Sequence, residues 1–440
     1  MTEIELLINA RWVIPVDPEG HLDHHSVAID QGRILEVLPT PVALARYRAR
    51  RTIDLATHAL IPGLVNAHTH AAMGLFRGLA DDLPLMDWLH NHIWPAEVRW
   101  VSPQFVRDGA QLAVAEMLKG GTTCFSDMYF FPEDCARVVR KAGIRACIGM
   151  IVIDFPTPYA DSPAAYLDKG LRLHDELRGS ELTTAAFAPH APYSVSDEPL
   201  IRIRTLNNEL DLPVHMHVHE TAHEVQEALA RTGRRPLERL HELDLLTPNL
   251  VAVHMTQLLP EEIALLARTG VSVVHCPESN LKLASGFCPV HELLRAGVNV
   301  ALGTDGAASN NDLDMLDEMR TAALLAKAVS GDATALPARA ALRMATLNGA
   351  RALGLDSVTG SISVGKYADL AAIDLARIPS QPVYDPLSQV VYTAARDQVT
   401  DVWVAGRQLL DSGRLTTLDE SEILQRAQSW SARIHPQPNP

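Results

Sequence analysis

Two histidines one residue apart, His68 and His70, close the apolar run "LIPGLVNAHTH". Side chains along a strand alternate with a period of two, so both imidazoles would lie on the same side of it. Neutral imidazole nitrogen is a standard zinc ligand, and two such rings on one face could approach a single metal ion. Because the chain has 19 histidines, however, a His-x-His triplet can also arise by accident. The pair alone leaves two interpretations open, a metal site or a polar strand end.

Histidine or aspartate recurs where other apolar runs end. These ends read "APHAPYS", "HMHVHE", "AVHMT", "VHCPESN" and "LGTDGAASN". A single histidine at a strand end is ordinarily structural, but its recurrence over successive strands indicates one shared site. His217 and Asp305 would complete a metal shell begun by His68 and His70, leaving a position open for water. Two-metal sites of this kind need a further bridging ligand, often a lysine. The fourth strand candidate, "TTAAFAPH", has none, which favours one metal.

The segments around these residues alternate between strand and helix patterns. After "GLVNAHTH", the strand candidates are "TTCFSDMYF", "RACIGMIV", "TTAAFAPHA", "PVHMHVHE", "LVAVHMT", "VSVVHCP" and "NVALGTD". Helical periodicity separates them, as in "SPQFVRDGAQLAVAEMLKGG" and "PEEIALLARTG". Such alternation predicts a parallel sheet, here a (β/α)8 TIM barrel of the α/β class, whose strands all end on the catalytic face. An open doubly wound sheet is the rival fold, but no GxGxxG follows an early strand.

Both chain ends have a strand-turn-strand pattern instead. It includes "IELLINARWVIPV" and "TIDLATHALIPGL" near the start, and "GSISVGKYADLAAIDL" and "VTDVWVAGRQLLDSGRL" near the end. We predict that the two ends meet in one small β-sandwich domain. Its first part is 1–61 and its second part, with a C-terminal helix and the tail "HPQPNP", is 367–440. The metal-dependent barrel occupies 62–366.

Composition narrows the class of protein. With 47% hydrophobic and 21% charged residues, the 440-residue chain should be globular. A formal charge of -15 argues against a nucleic-acid binder and favours action on small molecules. The five cysteines include no CxxC pair, as expected of free thiols in a reducing compartment. No signal peptide or membrane-spanning apolar run is visible, so we predict a soluble, cytoplasmic protein with no membrane partner.

These stretches together resemble the amidohydrolase superfamily. The segments that carry the resemblance are "GLVNAHTHAAMGLFRGLADDLPLMDWLHNHIWPAE", "HMHVHET", "HCPESNLKLASG" and "LGTDGAASNNDLDMLDEMR". More narrowly, they resemble its deaminases of 5'-methylthioadenosine and S-adenosylhomocysteine over nearly the whole chain. His-x-His with a downstream Asp marks the superfamily, and Glu220, three residues after His217, points to the deaminase branch.

The resemblance implies a hydrolytic deaminase that releases an inosyl product and ammonia. It implies one divalent metal ion, with zinc as the default, although iron, manganese or nickel suit the same ligands. A homo-oligomer is the expectation for the superfamily. Four residues are implied as metal ligands, namely His68, His70, His217 and Asp305.

Further roles follow from the same resemblance. Glu220 would protonate N1 of the purine, Asp305 would accept a proton from water, and His254 would orient the hydroxide. The implied substrate contacts are Glu97 in "WPAE" with the ribose hydroxyls, His190 beside the purine, and Trp88 near the ribose and sulfur substituent. The alternative for Trp88 is ordinary helix packing.

Other histidines near the motifs receive supporting roles. We expect His215 and His219 to lie outside the metal shell as supporting or packing residues, and His275, Ser279 and Asn280 to shape the pocket. In "IVIDFPTPYADSPAAYLDKG" no arginine matches one that could hold the carboxylate of S-adenosylhomocysteine. Methylthioadenosine is therefore the expected substrate, with S-adenosylhomocysteine and adenosine left open.

Three alternatives remain. Guanine or cytosine deaminases and triazine hydrolases use the same metal template, although Glu97 and the spacing of His217 and Glu220 favour a ribose-bearing aminopurine. The unrelated zinc deaminase fold requires a P-C-x-x-C motif that this sequence lacks. A catalytically inactive scaffold is the remote alternative, and it conflicts with retention of every proposed ligand.

Overall fold

The structure is a computed structural model that describes residues 1–435. The chain begins with strands β1 Thr2–Val13, β2 Leu22–Asp30, β3 Arg33–Pro39 and β4 Tyr47–Pro62. There follow β5 Leu64–Thr69, β6 Thr122–Asp127, β7 Arg145–Val152, β8 Thr183–Pro189, β9 Val214–Val218, β10 Leu250–His254, β11 Ser272–His275 and β12 Asn299–Leu302. The last strands are β13 Leu370–Asp374, β14 Val399–Val404, β15 Arg407–Asp411 and β16 Arg414–Leu415.

Helices fill most connections between the strands. In the first half they are α1 Thr40–Arg46, α2 Leu85–Trp88, α3 Trp94–Trp100, α4 Pro103–Lys119, α5 Pro132–Ala142, α6 Pro163–Leu177, α7 Asp197–Leu210 and α8 Ala222–Thr232. In the second half they are α9 Pro236–Glu242, α10 Pro260–Thr269, α11 Pro277–Lys282, α12 Val290–Arg295, α13 Met315–Ser330, α14 Ala338–Met344, α15 Leu347–Ala352, α16 Pro386–Tyr392 and α17 Glu420–Ile434. Among residues 1–435, no helix is both long and apolar enough to cross a membrane.

The eight central strands form the predicted parallel barrel. Their order runs from β5 to β12 without interruption, and each pair of neighbours is parallel. At the seam, Asp305 N donates to the carbonyl of His68 at 3.1 Å, and Thr304 N donates to Asn66 Oδ1 at 3.0 Å. Gly303 permits this approach, because a Cβ there would lie 2.8 Å from His68 N. The predicted (β/α)8 fold is confirmed, and its eight strand candidates all form strands.

The barrel strands are buried along their length, which explains their apolar sequences. All eight residues of β7 are buried, because neighbouring strands, interior side chains and outer helices cover them. Its first residue, Arg145, is the exception in polarity. The Arg145 guanidinium pairs with Asp369, with Nε 2.8 Å from Oδ2. This buried ion pair joins the barrel to the segment that leads into β13.

The strands from both chain ends form one separate sheet, in the order β16-β15-β14-β13-β4-β1-β2-β3. The two ends of the chain meet where β13 runs antiparallel to β4, with Leu370 opposite Pro62. A β-domain built from both termini was predicted and is confirmed. The domain boundaries stay a prediction, since β4 itself runs across residue 61. The C-terminal helix is α17, and the predicted tail falls largely on 436–440, outside the described residues.

Candidate active site

Three strand ends bring the four predicted metal ligands together. His68 and His70 lie at the end of β5, His217 lies in β9, and Asp305 follows β12. One donor atom from each residue lies within 4.8 Å of the others. His68 Nε2 is 3.2 Å from His217 Nε2 and 3.2 Å from Asp305 Oδ1, and His70 Nε2 is also 3.2 Å from Asp305 Oδ1. This four-donor cluster lies on the face of the barrel where the strands end.

The opposite ring nitrogens of the histidines have their own partners. His70 Nδ1 donates to the carbonyl of Met128 at 2.5 Å, and His217 Nδ1 donates to the carbonyl of His190 at 2.8 Å. A carbonyl oxygen only accepts, so both rings carry a proton on Nδ1, and in the neutral form of each ring Nε2 offers a lone pair. Lone pairs that converge beside a carboxylate oxygen are the donor set that a divalent cation binds. The residues therefore fit a metal ion.

The charges of the cluster support this fit. Burial lowers the pKa of His68 to about 4, although the neighbouring Asp305 carboxylate acts in the opposite direction. Burial also lowers the pKa of His217 well below its ordinary value. For His70, burial again acts downward, but the hydrogen bond to Asp305 prevails and raises the pKa to about 9. The cluster thus favours positive charge next to Asp305.

Asp305 is held through both carboxylate oxygens. Oδ1 faces the histidines and accepts from Gly306 N at 2.9 Å. Oδ2 accepts from Ser279 Oγ at 2.6 Å and from Ser309 Oγ at 2.8 Å. Burial alone would raise the pKa of this carboxyl, but the neighbouring His68 and His70 hold it well below its ordinary value. Asp305 is therefore an ionised carboxylate in a fixed orientation.

Glu220 lies beside the cluster, two residues after the end of β9. Burial raises the pKa of Glu220 above its ordinary value, although the neighbouring His254 acts to lower it. His254 Nε2 is 3.9 Å from Glu220 Oε1, and His254 Nδ1 donates to Asn280 Oδ1 at 2.9 Å. Glu224, three residues after the helix N-cap Thr221, accepts from Glu220 N at 2.7 Å and fixes its backbone. Glu220 can thus carry a proton at higher pH than an ordinary glutamate.

A cavity of about 310 Å³ opens above these groups. Its floor is formed by His70, His190, His217, Glu220, His254 and Asp305. Its outer wall is largely apolar and includes Leu85, Trp88, Leu89, Ile93, Trp94, Val98, Ile151, Ile153, Phe155 and Leu283. The described lining contains three carboxyl groups, those of Glu97, Glu220 and Asp305, and no lysine or arginine. Every predicted catalytic, substrate-binding or metal-binding residue lines the cavity except His68, which is buried; His275, Ser279 and Asn280, expected to shape the pocket, are buried and do not line it.

Glu97 is a second carboxyl with unusual protonation. It lies on α3 in the cavity wall and is only 9% exposed. Burial raises the pKa of Glu97 to about 7, and the nearby Tyr129 and His70 limit the rise. Tyr129 also lines the cavity, and the sequence analysis missed it.

Four supporting residues have roles that only the structure reveals. Ser279 and Asn280, predicted to shape the pocket, bind Asp305 and His254 respectively. Ser309 was missed, although its position four residues after Asp305 in "TDGAAS" was a usable signal. Ser126, whose Oγ is 2.9 Å from His215 Nδ1, was also missed, and nothing in its local sequence marks it.

The remaining histidines of the strand ends differ in what they contact. His215 Nε2 is 2.9 Å from His68 Nδ1, so it contacts a predicted ligand. His219 accepts from Leu237 N at 3.2 Å; its positive φ of 52° breaks the strand alternation. His275 is buried, and its carbonyl accepts from Gly303 N at 3.1 Å.

Comparison with known proteins agrees with this geometry. The sequence profile described as the amidohydrolase family matches residues 59–409. The chain is 52% identical over 437 residues to the 5-methylthioadenosine/S-adenosylhomocysteine deaminase of Saccharophagus degradans, covering 99% of this chain and 98% of that protein. It is 51% identical to the enzyme of the same name from Teredinibacter turnerae, covering 98% of each. It is also similar to a crystal structure of a zinc-bound adenosine deaminase from Xanthomonas campestris. That similarity has a TM-score of 0.98 and 54% identity, over 98% of this chain and 99% of the other.

Proposed function

This chain belongs to the amidohydrolase family, and we propose that it is a metal-dependent hydrolytic deaminase of 5'-methylthioadenosine and S-adenosylhomocysteine. The reaction exchanges the amino group on C6 of the adenine for an oxygen atom from water, giving the inosyl product and ammonia. The proposal rests on one observation: Glu220 and three members of the four-donor cluster, His70, His217 and Asp305, line the same cavity. The names of the similar proteins support the same reaction.

His68, His70, His217 and Asp305 would hold one divalent ion, zinc by default. Three histidine nitrogens and one carboxylate oxygen suit zinc, and the similar structure from Xanthomonas campestris contains it. An ion in such a site lowers the pKa of a water that it binds to about 7.

Protons would then move through Glu220 and Asp305. Protonated Glu220 gives its proton to N1 of the purine, which makes C6 electrophilic. Asp305, ionised and fixed by two serines, accepts a proton from the attacking water. His254 donates its Nδ1 proton to Asn280, so its Nε2 lone pair can accept a hydrogen bond from that water and orient it. Asp305 then gives its proton to the amino group, which leaves as ammonia when the C6–N bond breaks, and the proton of the new C6 hydroxyl returns to Glu220 as the carbonyl forms.

The cavity wall would recognise the nucleoside. Glu97, when ionised, can accept hydrogen bonds from both ribose hydroxyls. His190 lies on the floor beside His217, with the two ring centroids 5.0 Å apart, where the purine would reach it. Trp88 is buried in helix α2 but also lines the cavity, so packing and substrate contact are compatible roles.

We propose that methylthioadenosine is preferred over S-adenosylhomocysteine. The outer wall, which includes Phe155 and Ile153, suits an apolar methylthio group. A homocysteine carboxylate would instead enter a cavity whose described lining residues include three carboxyl groups and no lysine or arginine to pair with it. The expected order of kcat/KM is therefore methylthioadenosine first and S-adenosylhomocysteine clearly lower.

The deciding experiment follows loss of adenine absorbance and release of ammonia. The substrates are methylthioadenosine, S-adenosylhomocysteine, adenosine, guanine, cytosine and a chlorotriazine. We expect turnover of the adenosine-type nucleosides only. Activity on guanine or the triazine alone would overturn the substrate assignment while leaving the fold intact. A purified protein without bound divalent metal, unaffected by chelators, would support the scaffold alternative.

We also propose a cytoplasmic, homo-oligomeric enzyme. All five cysteines are free and buried, as expected in a reducing compartment. Sedimentation equilibrium of the purified protein tests the assembly, and a strictly monomeric species would refute it. Fractionation of the source cells tests the location.

A further inference from the structure

The three histidines of the four-donor cluster are not supported in the same way. His70 and His217 each donate their Nδ1 proton to a backbone carbonyl, which no side-chain substitution removes. His68 Nδ1 instead faces another imidazole, with His215 Nε2 at 2.9 Å. His215 Nδ1 in turn faces Ser126 Oγ, also at 2.9 Å. All three groups of this series, Ser126, His215 and His68, are buried.

The direction of these hydrogen bonds follows from the metal site. If His68 offers the Nε2 lone pair to a cation, its proton must be on Nδ1. His215 Nε2 must then accept, so the proton of His215 is on Nδ1 and donates to Ser126 Oγ. The reverse arrangement places a proton on His215 Nε2, which drives the His68 proton to Nε2, where it points at Asp305 Oδ1, 3.2 Å away. That arrangement has no lone pair for a metal.

We propose that Ser126 and His215 are positioning residues that hold His68 in its metal-binding tautomer. They act through His68 and do not touch substrate. The proposal rests on the metal centre of the proposed function but not on its substrate. A metal-binding ligand commonly has a carbonyl or carboxylate as its outer partner. Here a neutral imidazole takes that place, so the tautomer of one ligand depends on a second ring.

The test compares two replacements of His215 by metal affinity. His215→Gln keeps an acceptor oxygen close to the position of Nε2, whereas His215→Met keeps the bulk and removes the acceptor. Zinc affinity is measured by competition with a chromogenic chelator. We expect His215→Met to lose on the order of 10- to 100-fold in affinity, and His215→Gln to stay close to wild type. His219→Met removes an equally buried imidazole that contacts Leu237 N instead, and should leave affinity unchanged.

Substitution of Ser126 is the second part of the test. Ser126→Ala deletes only the hydroxyl and should weaken zinc binding by less than His215→Met does. In the His215→Gln background, Ser126→Ala should cause no further loss of zinc affinity, because glutamine has no imidazole whose tautomer Ser126 could set. Ser26→Ala, at a buried serine of the terminal sheet, is the matched control. The melting temperature of the metal-free proteins separates lost affinity from lost folding.

The protonated nitrogen of His215 can be observed directly, which tests the proposal even if a variant fails to fold. Imidazole ¹⁵N spectra of the zinc-loaded wild type should show His215 with its proton on Nδ1. A proton on Nε2 would overturn the proposal. Equal loss of zinc by the Met and Gln variants, or unchanged affinity in both, would overturn it as well. None of these outcomes depends on which nucleoside is deaminated, so failure of the substrate assignment remains distinguishable.

Discussion

Glu220→Gln tests the proposed chemistry most directly, because it replaces a proton donor by an amide of nearly the same shape. Glu220 is not one of the four donors of the cluster, so the variant should bind metal as the wild type does. The amide can still accept or donate a hydrogen bond. It cannot transfer a proton to N1 of the purine, so turnover should fall while metal content is unchanged.

The size of the loss follows from the neighbours of Glu220. One positioned general acid contributes about 10²- to 10⁴-fold to the rate. The upper part of that range applies because neither neighbour can replace Glu220. The Nδ1 proton of His254 is donated to Asn280, and Asp305 is held ionised by its histidine contacts. We expect kcat to fall about 10³- to 10⁴-fold, which raises the barrier by about 4.1–5.4 kcal/mol.

The assay measures kcat for methylthioadenosine together with metal content by elemental analysis. A 1-deaza analogue, with carbon in place of N1, sharpens it. Wild type should lose most turnover on this analogue, whereas Glu220→Gln should show little additional loss. Glu262→Gln is the matched control, since Glu262 is buried and paired with Arg235 at 2.7 Å but does not line the cavity.

Three outcomes would refute this reasoning. Turnover of Glu220→Gln within about tenfold of wild type would mean that another group delivers the proton. Loss of metal in the variant would mean that Glu220 is a ligand. Equal turnover of the 1-deaza analogue and its parent by wild type would mean that protonation of N1 is not required.

Three further predictions concern the rest of the site. Burial raises the pKa of Glu97 to about 7, so Glu97 gains a proton as pH falls through that value and loses its capacity to accept two ribose hydroxyls. KM for methylthioadenosine should therefore rise toward acid pH. Glu97→Gln should raise KM by about 10- to 100-fold and abolish that pH dependence, whereas a 2',3'-dideoxy analogue should be insensitive to both. Ser309→Ala removes one of two hydroxyl donors from Asp305 Oδ2 and should lower kcat by roughly tenfold at full metal content. Chelation should abolish activity and lower the melting temperature. Zinc at about 100 times its Kd should restore both and add roughly 2.7 kcal/mol to the free energy of unfolding. An unchanged melting temperature would contradict a structural contribution from the metal.

The parts of the molecule governed by local rules could be predicted from the sequence. The eight barrel strands are short apolar runs, and the His-x-His spacing at 68–70 fixes the side of the strand on which both rings lie. Because strand ends share one face of a barrel, their polar residues could be assigned to one site before any contact was known. The start of α8 follows a local rule as well: Thr221 Oγ1 accepts from Glu224 N at 3.2 Å, and the Glu224 carboxylate accepts from Glu220 N at 2.7 Å, which fixes the backbone of Glu220.

The parts governed by contacts between distant segments could not be predicted. Tyr129 reaches Glu97 from the end of another strand, and Ser126 reaches His215 across 89 positions of the chain. These pairings depend on the relative register of strands and on the path of the loops, which no local pattern encodes. The resemblance supplied the roles of single residues, but it did not supply the contacts that support them.

The motif His215-Met216-His217 shows where the two kinds of rule meet. Alternation places both imidazoles on the inner side of β9, so the sequence alone cannot choose between them as ligand. A rise of about 3.3 Å per residue places His215 roughly 6.6 Å deeper in the barrel than His217. His215 Nε2 is 2.9 Å from Nδ1 of His68, whereas His217 Nε2 is 3.2 Å from Nε2 of the same ring. The side of the His68 ring that each one meets therefore makes His217 a proposed ligand and His215 the support of His68. The same reasoning predicts that exchanging His215 and Met216 would destroy the support without supplying a new ligand, because the imidazole would then face the outer side of the strand.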